Sequence, residues 1–327
     1  LFMSSSSKSC SLLITPLHLL LLFYTVISDL PEYDRSFVIS ITRCRARTYD
    51  IIAYLVKFRT STCSAISPNF KDGFSYQTGV GGASIASTIS LAKIMKERGI
   101  RMRFGVGGLT KPMCDLLDNN QVDVLLDTQD FDLDAVESVK DIRHFRISAG
   151  EYADPFNKGA VVNKLDFVIL AALEVDVNFN CNVVVGSDGV ITGAQGGHPD
   201  TAAGAKCTIV LTPLLQGRIP AICTEVTTVT TPGESVDVVI TEYGVAVNPL
   251  RKDLLEAVKN SGLPLKTIEE LRDLAYRIAG EPEKVEFGER VVGIIESRDG
   301  TIMDVVRQIK PFQFKEEKKV LPESVHK

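Results

Sequence analysis

The stretch that most constrains this chain runs from Phe167 to Asn180. There an apolar run, Phe167-Val168-Ile169-Leu170, continues through Ala171-Ala172-Leu173 straight into Glu174 and Asp176. A run this continuous reads as a strand buried on both faces, so Leu165–Val175 is predicted to be one interior strand of a parallel sheet. A carboxylate at the end of such a strand is costly. Desolvation raises its pKa and nearby donors lower it, so it is kept either for a structural hydrogen bond or for chemistry. Two turns rich in glycine and aspartate follow, Gly186–Gly189 and Gly193–Asp200. Glycines let backbone N–H groups approach a ligand closely and converge on a developing oxyanion. Glu174 with the Gly196 and Gly197 amides is therefore the candidate catalytic set, and Gly193, Gln195, His198 and Asp200 are candidate substrate-binding positions. Asp176 shares a strand side with Glu174 if the strand stays regular; it either raises the Glu174 pKa by like-charge repulsion or simply begins the turn.

Alternating elements surround that stretch. Ser84–Arg98 has helical spacing with Gly99 as C-cap, and the glycine-rich loop Gln77–Gly82 leads into it. The loop completes neither common nucleotide-binding glycine pattern, so it reads equally as a tight turn against a sheet. Ile100, Met102 and Phe104 alternate with arginines as a strand, and Gly105-Val106-Gly107-Gly108 reads as a turn into a helix capped by Thr110. Strands are expected at Val122–Leu126, Thr208–Thr212, Ile219–Thr224 and Val236–Thr241. Helices are expected at Leu133–Val139, Lys252–Asn260 and Thr267–Ala279, and a hairpin turns at Arg298-Asp299-Gly300. The fold class is α/β, a mixed sheet flanked by helices.

Composition excludes several functions. A net charge of −5 with no basic stripe argues against nucleic acid. Seven scattered cysteines with no C-x-x-C pair read as reduced thiols of an intracellular protein, so a cytoplasmic location is expected and a zinc site is not. His198 and Asp200 lack a third ligand at useful spacing, which favours a hydrogen-bonding or substrate-carboxylate role over a metal. Ser187 does not form a nucleophile elbow. Arg218 either pairs with a substrate carboxylate or phosphate or makes a surface salt bridge.

Several segments together resemble the C-terminal half of the citrate lyase alpha subunit, a citrate CoA-transferase, and more distantly other CoA-transferases. They are Phe70–Ser84, Leu173–Asn180, Gly186–Asp200, Gly217–Pro220 and Thr241–Pro249. The resemblance implies a CoA-transferase-like second domain over residues 67–314 that exchanges the acetyl group of an acyl-carrier thioester for citrate, releasing acetate. It also implies two partners, a lyase (beta) subunit and an acyl-carrier (gamma) subunit bearing a CoA-like prosthetic group, with no cofactor bound by this chain itself. In the wider CoA-transferases a glutamate at the place of Glu174 becomes acylated; in the citrate lyase branch it is expected only to orient or polarise, and the residues leave both open. With a charge of −5, local cations such as Arg218 or Lys206 would have to attract citrate. The alternatives are a transferase or hydrolase using acetyl-CoA and another acid, or an inactive fragment.

Residues 1–66 do not resemble the family and read as a foreign leader. Ser9–Ser28 lacks charge and is mostly apolar, so a membrane segment there is the alternative reading. Residues 315–327 read as a charged, frayed tail.

Overall fold

The computed structural model describes residues 70–310 apart from 284. The leader read over 1–66 and the tail over 315–327 lie outside the described residues.

The first half is a series of strand–helix units: β1 (Phe74–Thr78), α1 (Gly82–Arg98), β2 (Met102–Leu109), α2 (Lys111–Asp118), β3 (Val122–Asp130), α3 (Leu133–Ser138), β4 (His144–Arg146) and α4 (Ala149–Ala153). Helix α1 ends where expected, because Gly99 adopts the left-handed conformation at φ 65° and returns its N–H to the last helical carbonyls. In α2, Pro112 sits in the first turn as expected, but Thr110 caps nothing with its side chain. Asp132 supplies the missing acceptor, taking the Lys111 N–H at 2.7 Å. The Gly105–Gly108 segment is not a turn. It lies inside β2, where a Cβ on Gly105 would strike the Met113 side chain and one on Gly108 the Phe131 ring. Gly105 and Gly108 admit close neighbours, and Gly107, at φ 114°, sits at an irregularity in the register with β3.

The second half supplies β5 (Phe167–Ala171), β6 (Glu174–Asp176), β7 (Cys181–Asn182), α5 (His198–Gly204), β8 (Cys207–Leu211), β9 (Leu215–Gln216), β10 (Ile219–Pro220), β11 (Ile222–Cys223), β12 (Val238–Thr241), β13 (Gly244–Val247), α6 (Lys252–Val258), α7 (Ile268–Ala279), β14 (Phe287–Glu296) and β15 (Ile302–Ile309). A capping box between Thr267 and Glu270 starts α7. The eight-stranded sheet has the order β13-β12-β8-β5-β1-β2-β3-β4, parallel throughout except for the antiparallel edge strand β13. It is the mixed sheet flanked by helices that the sequence indicates.

Strand alternation fills both faces of that sheet. Ile169, Ile209 and Ile240 pack into one core with Met95, Met102 and Leu117. Val168, Leu170, Val210 and Val239 pack into the other with Leu271 and Ala275. The predicted single strand Leu165–Val175 is two. The chain leaves the main sheet after Ala171, and Glu174–Asp176 joins a separate three-stranded sheet, β11-β6-β7. Ile219–Thr224 divides in the same way between β10 and β11. Strand order reverses between β1 and β5: β2 to β4 extend one way and β8 and β12 the other. In open parallel sheets a crevice at the carboxyl ends of such a pair is where ligands bind.

Candidate active site

The carboxyl end of β5 delivers the expected glutamate. Glu174 is only 4% exposed, and both of its oxygens are engaged. Oε1 accepts the Ser187 amide, while Oε2 accepts Asn182 Nδ2 at 3.2 Å and the Thr227 amide at 3.4 Å. Asn182 is itself fully buried; its Oδ1 takes the Val184 and Val185 amides. Asp176 lies in the same neighbourhood, with Val226, the residue before Thr227, donating its amide to Oδ2. Its other partners are the Asn178 and Asn180 amides at 2.8 and 3.0 Å and Asn180 Nδ2 at 3.0 Å. Asp176 therefore begins the turn, the second of its two expected roles.

The glycine turn lies beside this small sheet and is pinned to it. His198 Nε2 reaches the Ala171 carbonyl at 3.0 Å and Nδ1 reaches Thr231 Oγ1 at 2.7 Å. Thr231 pairs in turn with Cys181 on β7, the strand bonded to β6. A carbonyl only accepts, so Nε2 carries the proton and Nδ1 accepts from the threonine hydroxyl. The residue is half-buried, but its ring is enclosed, and that desolvation pushes its pKa down to about 4. His198 is thus a neutral strut with both nitrogens occupied.

Gly193 sits where a Cβ would press on the Val183 carbonyl at 3.1 Å, and Gly196 holds φ at 50°, a left-handed conformation suited to glycine. Among the described residues neither the Gly196 nor the Gly197 amide donates a hydrogen bond. A Cβ on Gly197 would lie 2.7 Å from the Tyr152 hydroxyl, which accepts from Gln77 Nε2 at 2.8 Å. Gln77 is the penultimate residue of β1, so this turn borders the crevice between β1 and β5. The tip of the β14–β15 hairpin closes in from the other side. Gln195 Nε2 donates to the Glu296 carbonyl at 2.9 Å, and Arg298 Nε lies 3.9 Å from Asp200 Oδ1. Burial raises the Asp200 pKa and Arg298 partly offsets it.

Residues 47–309 match the family model described as "Citrate lyase, alpha subunit (CitF)", a match that begins ahead of Ser67. The citrate lyase alpha chain of Klebsiella pneumoniae is 50% identical over 242 residues, 74% of this chain and 48% of that protein. The chain belongs to the citrate lyase alpha subunit family. The alpha chain of Escherichia coli K12 is 48% identical over the same shares. A crystal structure described as the alpha subunit of citrate lyase from Streptococcus mutans in complex with citrate superposes with a TM-score of 0.77 at 48% identity, covering 81% of this chain and 51% of that one. The chain spans about half the length of the alpha subunits it matches.

Seven of the eight expected site residues of this alpha-subunit family member therefore fall in or beside one region: Glu174 on β6, and Gly193, Gln195, Gly196, Gly197, His198 and Asp200 on the turn or the start of α5. The eighth, Arg218, lies on the exposed turn between β9 and β10 and has no ion pair among the described residues. Lys206 is committed to Asp166 at 2.7 Å and is not a free cation for citrate. Sequence reasoning missed Asn182, Thr227, Tyr152 and Arg298, and took Gln77 only as part of a loop. Asn182 stands directly before the apolar run Val183-Val184-Val185, a weak signal; Tyr152 and Arg298 carried none.

One further cluster could hold a metal. Asp127 and Asp130, in the last part of β3, and His144, the first residue of β4, bring one donor atom each within 4.8 Å of one another. His144 Nε2 lies 3.4 Å from Asp127 and Arg146 lies 2.8 Å from Asp130, so a protein side chain already faces each carboxylate. Burial raises the Asp130 pKa and Asp127 raises it further.

Proposed function

We propose that this chain carries the acyl-exchange site of a citrate lyase: acetyl-carrier thioester plus citrate gives citryl-carrier thioester plus acetate. The observation that carries the reading is the pair of uncommitted Gly196 and Gly197 amides beside the crevice at the ends of β1 and β5. In the proposed route a citrate carboxylate oxygen attacks the acetyl carbonyl, the C–O bond forms, and the C–S bond breaks to release the carrier thiolate. That thiolate then attacks the citryl carbonyl of the mixed anhydride, forming the new C–S bond and expelling acetate. No net proton is consumed. The two amides hold the oxyanion that develops at each carbonyl.

Glu174 is assigned the orienting role. To act as a nucleophile it would have to give up donors from Asn182, Ser187 or Thr227, and a buried amide left without its acceptor costs about 1–3 kcal/mol. The thiol belongs to a CoA-like prosthetic group on a carrier subunit, so the carrier and a lyase subunit are the proposed partners and this chain needs no cofactor of its own. A cytoplasmic location belongs to the same reading; among the described residues no helix is long and apolar enough to cross a membrane.

The test is isotopic. Protein incubated with acetylated carrier and carbon-13 citrate should release unlabelled acetate in step with labelled citryl-carrier. Acetate release without label transfer would make it a thioester hydrolase, and transfer from acetyl-CoA to other acids without the carrier would make it a different CoA-transferase.

A further inference from the structure

Three buried side-chain polar atoms without a hydrogen-bond partner border the glycine turn: Gln77 Oε1, Gln195 Oε1 and Arg298 Nε. Burying such a group without a partner costs about 1–3 kcal/mol, so several around one turn mark a place where a ligand completes the bonding. They are linked through shared neighbours. Gln77 holds the Tyr152 hydroxyl, Tyr152 packs on Gly197, and the Ala153 carbonyl beside it accepts Arg298 Nη2 at 3.1 Å. Gln195 donates to Glu296, two residues before Arg298.

The chemistry of the open valences is specific. Arg298 has a side chain only 15% exposed, and its Nε points a donor that Asp200, at 3.9 Å, is too distant to satisfy. A guanidinium N–H held in this way suits a carboxylate. Gln195 is fixed in orientation because its Nε2 faces a carbonyl, which leaves Oε1 to accept a hydroxyl. The Gln77 amide, whose partner is a hydroxyl, can present either end.

We propose that Arg298 and Gln195 form a hydroxy-carboxylate subsite, in which Arg298 takes a carboxylate of the acid substrate and the Gln195 carbonyl takes its hydroxyl. The inference rests on the acyl-exchange reading and assigns to Arg298 the substrate contact that the sequence offered to Arg218. It also gives the β14–β15 hairpin a function: Gln195 to Glu296 and Arg298 to Ala153 hold its tip over the turn, so the hairpin delivers the residue that recognises the acid.

The experiment is calorimetric titration of the protein with citrate and with tricarballylate, which has the same three carboxylates and no hydroxyl. Wild type is expected to prefer citrate. Arg298→Gln should weaken both acids by about tenfold or more, and Arg298→Lys, which keeps the charge but not the fork, by less. Gln195→Leu should weaken citrate by about tenfold and leave tricarballylate unchanged, erasing the preference. Arg277→Gln, on the exposed side of α7, should change neither. A purely structural role for Gln195 would weaken both acids alike, and melting curves recorded on each variant identify any that misfold. The subsite is overturned, with the exchange reading intact, if wild type binds citrate and Arg298→Gln binds it within about twofold. It is overturned equally if Gln195→Leu keeps the preference. Wild type that binds neither acid refutes the subsite and the exchange reading together.

Discussion

Two neighbouring parts of the site treat polar groups in opposite ways. Around Glu174 both carboxylate oxygens are met by donors, and the asparagine beneath them accepts two amides of its own. Around the Gly193–Asp200 turn, amides, amide carbonyls and a guanidinium N–H are buried or poised without partners. A saturated group contributes to the stability of the resting protein, whereas an unsaturated one is stabilised only when a ligand arrives. The contrast teaches that the residue most visible in the sequence is a fixed part of the frame. The open groups belong to Gln195, Gly196 and Gly197, which the sequence marked, and to Arg298, which it did not.

Substitutions on the two sides should separate stability from activity. The largest effect is expected at Gly197→Ala, whose Cβ would collide with the Tyr152 hydroxyl and displace the turn. Loss of one oxyanion donor costs about a hundredfold in rate, so acyl exchange should fall by roughly that factor while the melting temperature moves little. Exchange at the wild-type rate would remove the turn from the mechanism.

Glu174→Gln should act first on stability. An amide NH₂ placed against the Ser187 N–H or Asn182 Nδ2 sets donor against donor, costing about 2 kcal/mol and lowering the melting temperature by roughly 5 °C. Thermal melts of this variant beside Arg298→Gln sharpen the comparison, because the arginine variant should lose under about 1 kcal/mol. Equal losses would mean that the two regions do not differ in kind.

The strut between the regions is pH-sensitive. His198 has a folded pKa near 4, below the unfolded value of about 6.5, so between those values the unfolded chain binds the extra proton. Its contribution to stability is present above about pH 6.5 and is lost as pH falls toward 4, by roughly 2 kcal/mol after discounting for partial exposure. Denaturation of wild type and His198→Gln across that range should show the gap closing as pH falls; a constant gap would contradict it. A small effect is expected at Gly196→Ala, where φ of 50° costs about 1 kcal/mol and no atom obstructs the new methyl.

Much of this frame was legible because hydrophobic period reports burial. The unbroken run ending at Ala171 announced an interior strand, and Gly99 announced the end of α1. The same rule hid the break after Ala171: Ala172 and Leu173 are as apolar as what precedes them, and nothing local says that Glu174 changes sheets. Glycine was ambiguous for a related reason. At Gly105 and Gly108 it admits a neighbouring side chain, and in sequence that looks the same as a turn. Arg298 was illegible because Arg-Asp-Gly at a hairpin tip is ordinary, while its partner carbonyl lies 145 residues away. Contacts of that range depend on strand order and hairpin placement, which periodicity does not encode.

The contrast between saturated and open groups can be read in one sample labelled with nitrogen-15 glycine and titrated with citrate. Gly196 and Gly197 report on the turn, and Gly186 and Gly189 report on the loop that feeds Ser187 to Glu174. The amide signals of Gly196 and Gly197 should shift progressively and saturate, while those of Gly186 and Gly189 stay in place. Movement of Gly186 and Gly189 with a silent turn would show that citrate engages the glutamate nest, and would contradict the account.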